Sequence, residues 1–373
     1  MTKSEEGNFR EELERKYLFL HFVYVVAPGA FHNDAFYKML DETKNFISQS
    51  SNEGFINQSA EISRNLDYWI LQSRKYLQPK AGIDEISREF AKLLNEQGEA
   101  LYSNGVTFGW LNHLIDCTQL GLLGDLPYHA KIEIASHAGN GSVEEAFLLH
   151  DAFSLLLITR ACHKNMQKTV SKIPGINSTD RDYLVLSTAN QNVGSVARLC
   201  VFSYYAFVEA FVNSIGNDFA ARNESALSVE EKEILNGKKR GRYLSLEQKM
   251  EAFQKIIRPD KKSPVILTDS KQHKEPFLTF FSNIKNVRDA SAHFGVGKVS
   301  IWRSPKDWLD FANTTSNFAI SVASDFWELC FSGRLKPEYL LRLDYQKLQN
   351  FAVKRLDISK RIFALGEEKD NNQ

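Results

Sequence analysis

The sequence is poor in cysteine, and its four cysteines lie far apart: Cys117, Cys162, Cys200 and Cys330. No two of them form a C-x-x-C pair, so we expect neither a disulfide framework nor a cysteine-rich zinc site. This cysteine usage fits a reducing cytosol. The histidines of the first half also have no metal-binding spacing, and no H-E-x-x-H motif or glycine-rich phosphate loop occurs. We therefore predict no metal and no other cofactor.

The chain also lacks a long uninterrupted apolar run. Its longest apolar region, residues 199–215, contains Ser203, Glu209 and Asn213, which a membrane span disfavours. A second run, residues 17–27, follows an acidic leader and is interrupted by His21, so we interpret it as a buried helix or short strand and not as a signal peptide. These features predict a soluble, cytoplasmic protein without a membrane span.

The chain also has no excess of positive or negative charge, because 46 lysines and arginines balance 46 aspartates and glutamates. No overall field therefore draws the protein to nucleic acid, and any such contact must be local.

What the chain does contain is enough apolar sequence for two folded domains. Hydrophobic residues make up 43% of its 373 positions, with 26 Phe and 13 Tyr, and this length exceeds one ordinary core. We predict an all-α, mainly helical fold: a helical domain of unknown role in residues 1–175, an up-and-down helical bundle in residues 176–345, and a C-terminal helix with a frayed tail in residues 346–373. The boundary falls in KIPGINSTD, residues 172–180, because Pro174 and Gly175 interrupt the helical pattern there.

Four helices of the second half are predicted from their caps and spacing. The first begins at Ser178 or Thr179 and runs to about residue 219. The second follows Ser245, which forms a capping box with Gln248. The third covers residues 277–297, and the fourth begins at Ser304 and runs to about residue 331. The apolar stripes of the first and third helices have these members: Val201, Tyr204, Val208, Phe211 and Ile215, then Phe280, Ile284, Val287 and Phe294.

The third helix carries the candidate site. A polar stripe of Asn286, Asp289 and His293 lies beside its apolar face. Arg288 precedes His293 by five positions. Asp289 precedes it by four, so the Asp289 carboxylate can reach the imidazole and orient it.

The string Arg288-Asp289-Ala290-Ser291-Ala292-His293 resembles the motif of the HEPN superfamily (higher eukaryotes and prokaryotes nucleotide-binding domain). The family places asparagine, aspartate or histidine after the arginine, and this chain has Asp289. The helix order of residues 180–335 is similar too: a long first helix, a second with an LS-x-E-x-K start, a third that ends in the motif and a fourth that packs back. A second pair, Arg15 and His21, has Lys16 after the arginine, and we interpret it as a chance match. We identify no family for the first half.

This resemblance implies a metal-independent endoribonuclease, and the residue types suit that chemistry. RNA has a 2′-hydroxyl beside each phosphodiester. Histidine suits the proton transfers because its pKa lies near neutrality, and arginine suits the phosphorane because its planar fork stays charged. Arg288 and His293 are thus the predicted catalytic pair, with Asp289 orienting the histidine. The products would be a 2′,3′-cyclic phosphate and a 5′-hydroxyl.

The resemblance also implies partners. Five residues along a helix turn through about 140°, so Arg288 and His293 do not share one face. HEPN nucleases commonly dimerise so that two motifs line one composite cleft, which implies a homodimer here. A role in toxin–antitoxin systems or anti-phage defence would add an antitoxin or another regulatory protein to RNA as a partner.

Further substrate contacts are predicted around this helix. Asn286 lies in its polar stripe, and Glu209 either borders the cleft near Arg288 or is simply a partly exposed carboxylate. The GKKRGR segment at residues 237–242 is either a solvated charged turn or a site for the RNA backbone. Its predicted RNA-binding cations are Lys238, Lys239, Arg240 and Arg242.

Other interpretations stay open. In one, Arg288 bonds Asp289 or a helix-end carbonyl, and His293 caps its own helix without any catalytic role. In a second, the domain is a non-catalytic HEPN-like module that binds RNA, a nucleotide or a partner protein. In a third, it is a helical dimerisation scaffold without a ligand.

Overall fold

The computed structural model describes residues 3–26, 34–49, 52–117, 126–133, 141–173, 179–292 and 303–341. Helices account for most of these residues, which confirms the all-α prediction, and each strand is only two residues long. The chain divides into two compact units, Met1–Val143 and Glu144–Gln373. This division comes earlier than the predicted boundary at residues 172–180, because a helix that begins at Glu144 packs into the second unit. Residues 174–178 and the predicted tail, 346–373, lie outside the described residues.

The first unit is built from six helices and three short strands in the part of the chain that is described. Its helices are α1 Lys3–Val26, α2 Asp34–Gln49, α3 Asn52–Ser73, α4 Ile83–Gln97, α5 Leu101–Asn104 and α6 Phe108–Leu114. Strands β1 Val106–Thr107, β2 Lys131–Ile132 and β3 Gly141–Ser142 pair antiparallel in that order. Residues 17–26, for which the sequence predicted a helix or a short strand, form the end of α1.

The second Arg…His pair of the sequence, Arg15 and His21, lies on α1 in the first unit. Phe90 of α4 contacts both Phe22 and His21 of α1 edge-on, with ring centroids 5.7 and 5.3 Å apart. Burial lowers the pKa of His21, and the charge of Lys44 lowers it further. Arg15 forms an ion pair with Asp84 at 3.1 Å. Both members of this pair therefore contact α4, His21 by packing and Arg15 by an exposed ion pair.

The helices of the second unit are α7 Glu144–Val170, α8 Asp180–Arg222, α9 Val229–Leu235, α10 Leu246–Ile257, α11 Phe277–Thr279, α12 Lys285–Ala292, α13 Pro305–Cys330 and α14 Glu338–Leu341, with a hairpin of β4 Lys238–Lys239 and β5 Arg242–Tyr243 between α9 and α10. The four predicted helices occur among them in the predicted order, as α8, α10, the segment from α11 to α12, and α13. Capping boxes at Thr179, Ser245 and Ser304 confirm the predicted helix starts, because each hydroxyl accepts from the third residue of its helix.

Helix α8 is the centre of this unit. Helix α7 runs antiparallel to it, since Glu145 Oε1 accepts from Ser214 Oγ at 2.7 Å near one end, whereas Cys200 lies against Ala152 further along. Helix α13 runs parallel to it and donates from Ser316 Oγ to the Tyr204 hydroxyl at 2.9 Å. All five predicted stripe residues of α8 are buried.

The length and composition of α8 also satisfy the requirements for a membrane span, and it is the one such helix among the residues that the structure describes. Half of its most apolar window is buried inside the unit. A central helix of a soluble bundle has the same properties.

The third predicted helix is interrupted by a π turn, Phe280–Ile284, which joins α11 to α12. Phe280 and Phe281 are both buried, although neighbouring residues of an α-helix point about 100° apart. The wider π turn accommodates both rings in the core, and such turns are frequent at functional sites. The predicted apolar residues Ile284 and Val287 are buried as well.

Candidate functional site

Arg288 lies where α12 meets α8, with its guanidinium over the ring of Tyr205. The guanidinium carbon is 4.2 Å from the ring centroid, a distance at which the cation and the π face attract each other. Tyr205 is buried and stacks on Phe280 of the π turn, with centroids 5.5 Å apart and planes inclined by only 5°. This stack links both helices and restricts the position of Arg288, whose side chain keeps 28% of its surface exposed.

Two carboxylates flank the same guanidinium. Arg288 Nη1 donates to Asp289 Oδ1 at 2.7 Å, and Arg288 Nη2 lies 3.8 Å from Glu209 Oε2. A bond between Arg288 and Asp289 is also what the interpretation without a catalytic role expected. A guanidinium has five N–H donors, so these contacts leave donors for an anion. Glu209 is partly exposed, at 38%, and its carboxylate lies near Arg288.

A second ion pair lies next to the first. Lys285, one turn before Arg288 on α12, contacts Glu247 in the first turn of α10. The other carboxylate oxygen of Glu247, Oε2, is buried and has no hydrogen-bond partner within the described part of the chain. Such an oxygen is costly to bury, so the contact with Lys285 must offset much of that cost. We call Tyr205, Glu209, Glu247, Lys285, Arg288 and Asp289 the Tyr205 cluster.

The electrostatics of the Tyr205 cluster keep its phenol protonated. Burial raises the pKa of the Tyr205 hydroxyl well above its usual range. The charge of Arg288 opposes this rise, while the carboxylates of Glu209, Glu247 and Asp289 add to it. Three carboxylates thus accompany two cations around one ring. An approaching polyanion would need additional positive charge from outside the cluster.

The predicted catalytic partner of Arg288, His293, follows the described part of α12. Ala292 is the last described residue of α12, and His293, Phe294, Gly295 and Gly297 lie outside the described residues. Asn286, predicted to contact substrate, is exposed, and its side-chain amide donates to the Ser282 carbonyl in the π turn.

The four predicted RNA-binding cations share the β4–β5 hairpin, where the register pairs Lys238 with Tyr243 and Lys239 with Arg242. Its two-residue turn consists of Arg240 and Gly241, which both have positive φ, as the favoured hairpin turns require. All four cations are exposed. In the described structure they form no ion pair with a carboxylate and no contact with Arg288.

Three members of the Tyr205 cluster were not predicted: Tyr205, Glu247 and Lys285. Tyr205 lies four residues before Glu209, and Lys285 lies three before Arg288, so helical spacing alone indicates both as neighbours of predicted residues. Glu247 lies on another element, and only the packing of α10 brings it to the cluster.

A metal centre is also not apparent in the described residues, which contain no group of three or more His, Cys, Asp or Glu side chains placed to hold an ion.

The chain matches no protein-family model, no curated protein and no solved structure, so its function must be inferred from its own residues.

Proposed function

We propose that the second unit is a HEPN-like, metal-independent endoribonuclease in which Arg288 binds the scissile phosphate and His293 transfers protons. The setting of Arg288 is the observation that carries this proposal. Its guanidinium is fixed over buried Tyr205 at the junction of two helices, yet it keeps exposed surface and unused donors. A planar cation held in this way can donate to two phosphate oxygens and stabilise the charge that develops on them.

The helix order supports the same proposal. Long α8 is followed by α10, which starts after Ser245, and then by the helix that ends in the motif. Helix α13 packs back against α8 through Ser316 and Tyr204. This order agrees with the family order that the sequence resembles, and the π turn that ends four residues before Arg288 is a feature that functional sites often have.

In the proposed reaction, the 2′-oxygen attacks the adjacent phosphorus and the bond to the 5′-oxygen breaks. One His293 accepts the proton of the 2′-hydroxyl, and a second His293, from another copy of the chain, donates a proton to the departing 5′-oxygen. Asp289 orients the imidazole, and Glu209 keeps Arg288 in place. Asn286 and the hairpin cations would contact the rest of the strand.

Because the Tyr205 cluster has a net negative charge, Arg288 can bind the scissile phosphate but other residues must attract the RNA strand. The three carboxylates of the cluster exceed its two cations, so RNA must be attracted by cations elsewhere. Lys238, Lys239, Arg240 and Arg242 supply four in the same unit. The proposal implies a homodimer with a composite cleft, acting in the cytoplasm as a toxin or anti-phage effector under the control of an antitoxin or another regulatory protein.

The test uses the full-length protein and a 5′-labelled single-stranded RNA in EDTA. We expect fragments that end in a 2′,3′-cyclic phosphate. Arg288→Ala and His293→Ala should each slow cleavage by about 100-fold or more, because each removes a charge or a proton carrier from the transition state. Matched controls are Arg222→Ala, whose side chain pairs with Asp218, and His113→Ala, whose ring contacts Glu85. Both controls should cleave normally.

Other outcomes would separate the rival functions. Retained RNA affinity without cleavage products would indicate a binding module, and neither affinity nor cleavage would indicate a scaffold. Light scattering should give twice the chain mass of 42.6 kDa. A fully active monomer would refute the composite cleft.

A further inference from the structure

Tyr243, at the end of the β4–β5 hairpin, exposes 80% of its surface although it is aromatic. Its ring lies beside the ammonium group of Lys238, which is 5.1 Å from the ring centroid. Lys238 and Tyr243 lie opposite each other in the hairpin register, which explains this contact. The hairpin therefore presents one flat π surface among four cations.

Hydrogen bonds fix the conformation of the hairpin without a ligand. The Gly241 N–H in its turn donates to Glu233 Oε1 of α9 at 2.7 Å, and the Leu244 N–H closes its base on the Gly237 carbonyl at 2.9 Å. Beneath Gly237 runs the buried side chain of Lys249, whose ammonium donates to Asn213 of α8 at 2.9 Å. Because α8, α9 and α10 all support the hairpin, binding would cost little ordering of the chain.

Its cations are also available to a polyanion. Lys238, Lys239, Arg240 and Arg242 are exposed and have no carboxylate partner among the residues described. Unpaired cations around an exposed ring are the arrangement that binds phosphates while a base stacks on the ring.

We propose that this hairpin binds single-stranded nucleic acid, with Tyr243 as the platform on which an unpaired base stacks. Duplex fits less well, because its bases are stacked on each other and one short hairpin offers no surface that spans its grooves. An acidic membrane fits less well too, since a single aromatic side chain gives little apolar area to insert.

The position of the hairpin connects it to the Tyr205 cluster. Strand β5 continues through Leu244 and Ser245 into α10, whose Glu247 contacts Lys285, one turn before Arg288. The hairpin and the cluster therefore lie at the same end of α10. As the substrate site of a nuclease, the hairpin depends on the proposed function, whereas its binding of a strand can be measured without cleavage.

The test is fluorescence anisotropy of the full-length protein with a labelled 2′-O-methyl oligouridylate, which lacks the 2′-hydroxyl needed for cleavage. We expect Tyr243→Ala to raise the Kd by about 5- to 100-fold, the range that loss of one base–aromatic stack produces. Tyr243→Phe and Tyr243→Trp should bind within about threefold of the wild type, because they keep the π face. Tyr183→Ala, which removes a 62% exposed tyrosine from α8, is the matched control and should bind normally.

Three results would overturn the inference: unchanged affinity of Tyr243→Ala, equal affinity for a 2′-O-methyl duplex, or Tyr243-dependent binding to phosphatidylserine vesicles with none to the oligonucleotide. Failure of the proposed function has a different signature. In that case Tyr243→Ala weakens oligonucleotide binding, but the wild type leaves unmodified RNA intact. Circular dichroism checks that each variant folds, as expected for substitutions at an exposed position.

Discussion

At the scale of single residues, Arg288 shows how several weak contacts can fix one cation. A cation–π contact contributes roughly 0.5–2 kcal/mol, and a partly exposed ion pair contributes about 0–1 kcal/mol. Neither alone would hold a long side chain that is 28% exposed. Together, Tyr205, Asp289 and Glu209 restrict its guanidinium to one region above the ring.

A double-mutant cycle measures the contact between this guanidinium and the ring. We expect Tyr205→Leu and Arg288→Met to show a coupling free energy of about 0.5–2 kcal/mol in urea unfolding, since each substitution removes one partner of the cation–π pair. Tyr205→Phe should retain the coupling because it keeps the ring. The same cycle with Arg222→Met in place of Arg288→Met is the control. Coupling near zero for Arg288 would mean that the stack does not position it.

Glu251 of α10 also has several partners, and its hydrogen bonds hold residues 267–268 against α10. Its Oε2 accepts from the Leu267 and Thr268 N–H groups and from the Thr268 hydroxyl, while Lys255 donates to its Oε1 at 2.9 Å. Burial tends to raise the pKa of this carboxyl. The hydrogen bonds from Lys255, Thr268 and Leu267 outweigh burial and lower it from 4.5 to about 2.

This depressed pKa predicts a loss of stability in acid. The folded protein holds the carboxylate more tightly than the unfolded chain does, so the contribution is complete above pH 4.5 and disappears as the pH falls towards 2. Its size is on the order of 3 kcal/mol. Glu251→Gln should therefore be less stable than the wild type at pH 7, and the difference should shrink below pH 3. Urea titrations at several pH values check this, with exposed Glu224→Gln as the control. A difference independent of pH would contradict it.

At the scale of elements, α8 depends on close approach by its neighbours. Gly216 lies on its buried face, where an added Cβ would come within 2.5 Å of the Leu235 carbonyl oxygen and 2.6 Å of Phe253. Gly194, on the same helix, has more room, with Arg198 Nη1 at 3.3 Å and Trp308 at 3.4 Å from such a Cβ. Both glycines lower helix propensity, but only Gly216 is required by packing.

These two glycines form a matched pair of substitutions. We expect Gly216→Ala to lower the free energy of unfolding by about 1–3 kcal/mol, because α9 or α10 must move away. Gly194→Ala should change it by less than about 1 kcal/mol, since the gain in helix propensity offsets a small shift of Arg198. Thermal and urea unfolding measure both. Equal effects would show that α9 and α10 adjust freely around α8.

The elements differ in how far the sequence predicted them. The helix starts at Ser245 and Ser304 were predicted, and the one at Thr179 was predicted as Ser178 or Thr179, because an N-cap depends only on residues in and beside the first turn. The π turn was not predicted, because its adjacent phenylalanines, Phe280 and Phe281, find room only in the assembled core.

At the scale of the whole molecule, α7 decides where the second unit begins. Its residues Leu149, Ala152 and Leu156 belong to the buried core around α8, and Glu145 bonds Ser214 there. The Pro-Gly interruption at residues 174–175 separates two helices of one unit. It predicted a boundary because the sequence alone cannot tell a connection between packed helices from a linker between domains.

Two fragments test this boundary. We expect residues 144–373 to unfold cooperatively when expressed alone, because they retain the core around α8. Residues 176–373 should be less stable by about 5 kcal/mol, because they lose the buried leucines Leu149 and Leu156, each worth about 1.5–3 kcal/mol. A loss of that size is comparable to the whole stability of a small domain. Circular dichroism during urea unfolding distinguishes them, and equal stability would favour the boundary at residues 172–180.

The sequence by itself determined the helical class, the caps and the apolar stripes, because each depends on residues within a few positions of one another. Only the tertiary structure decided that Tyr205 lies under Arg288, that Glu247 meets Lys285, and that α7 joins the second unit. Those contacts join residues far apart in the chain. Their positions follow from how the helix faces pack, which no local pattern specifies.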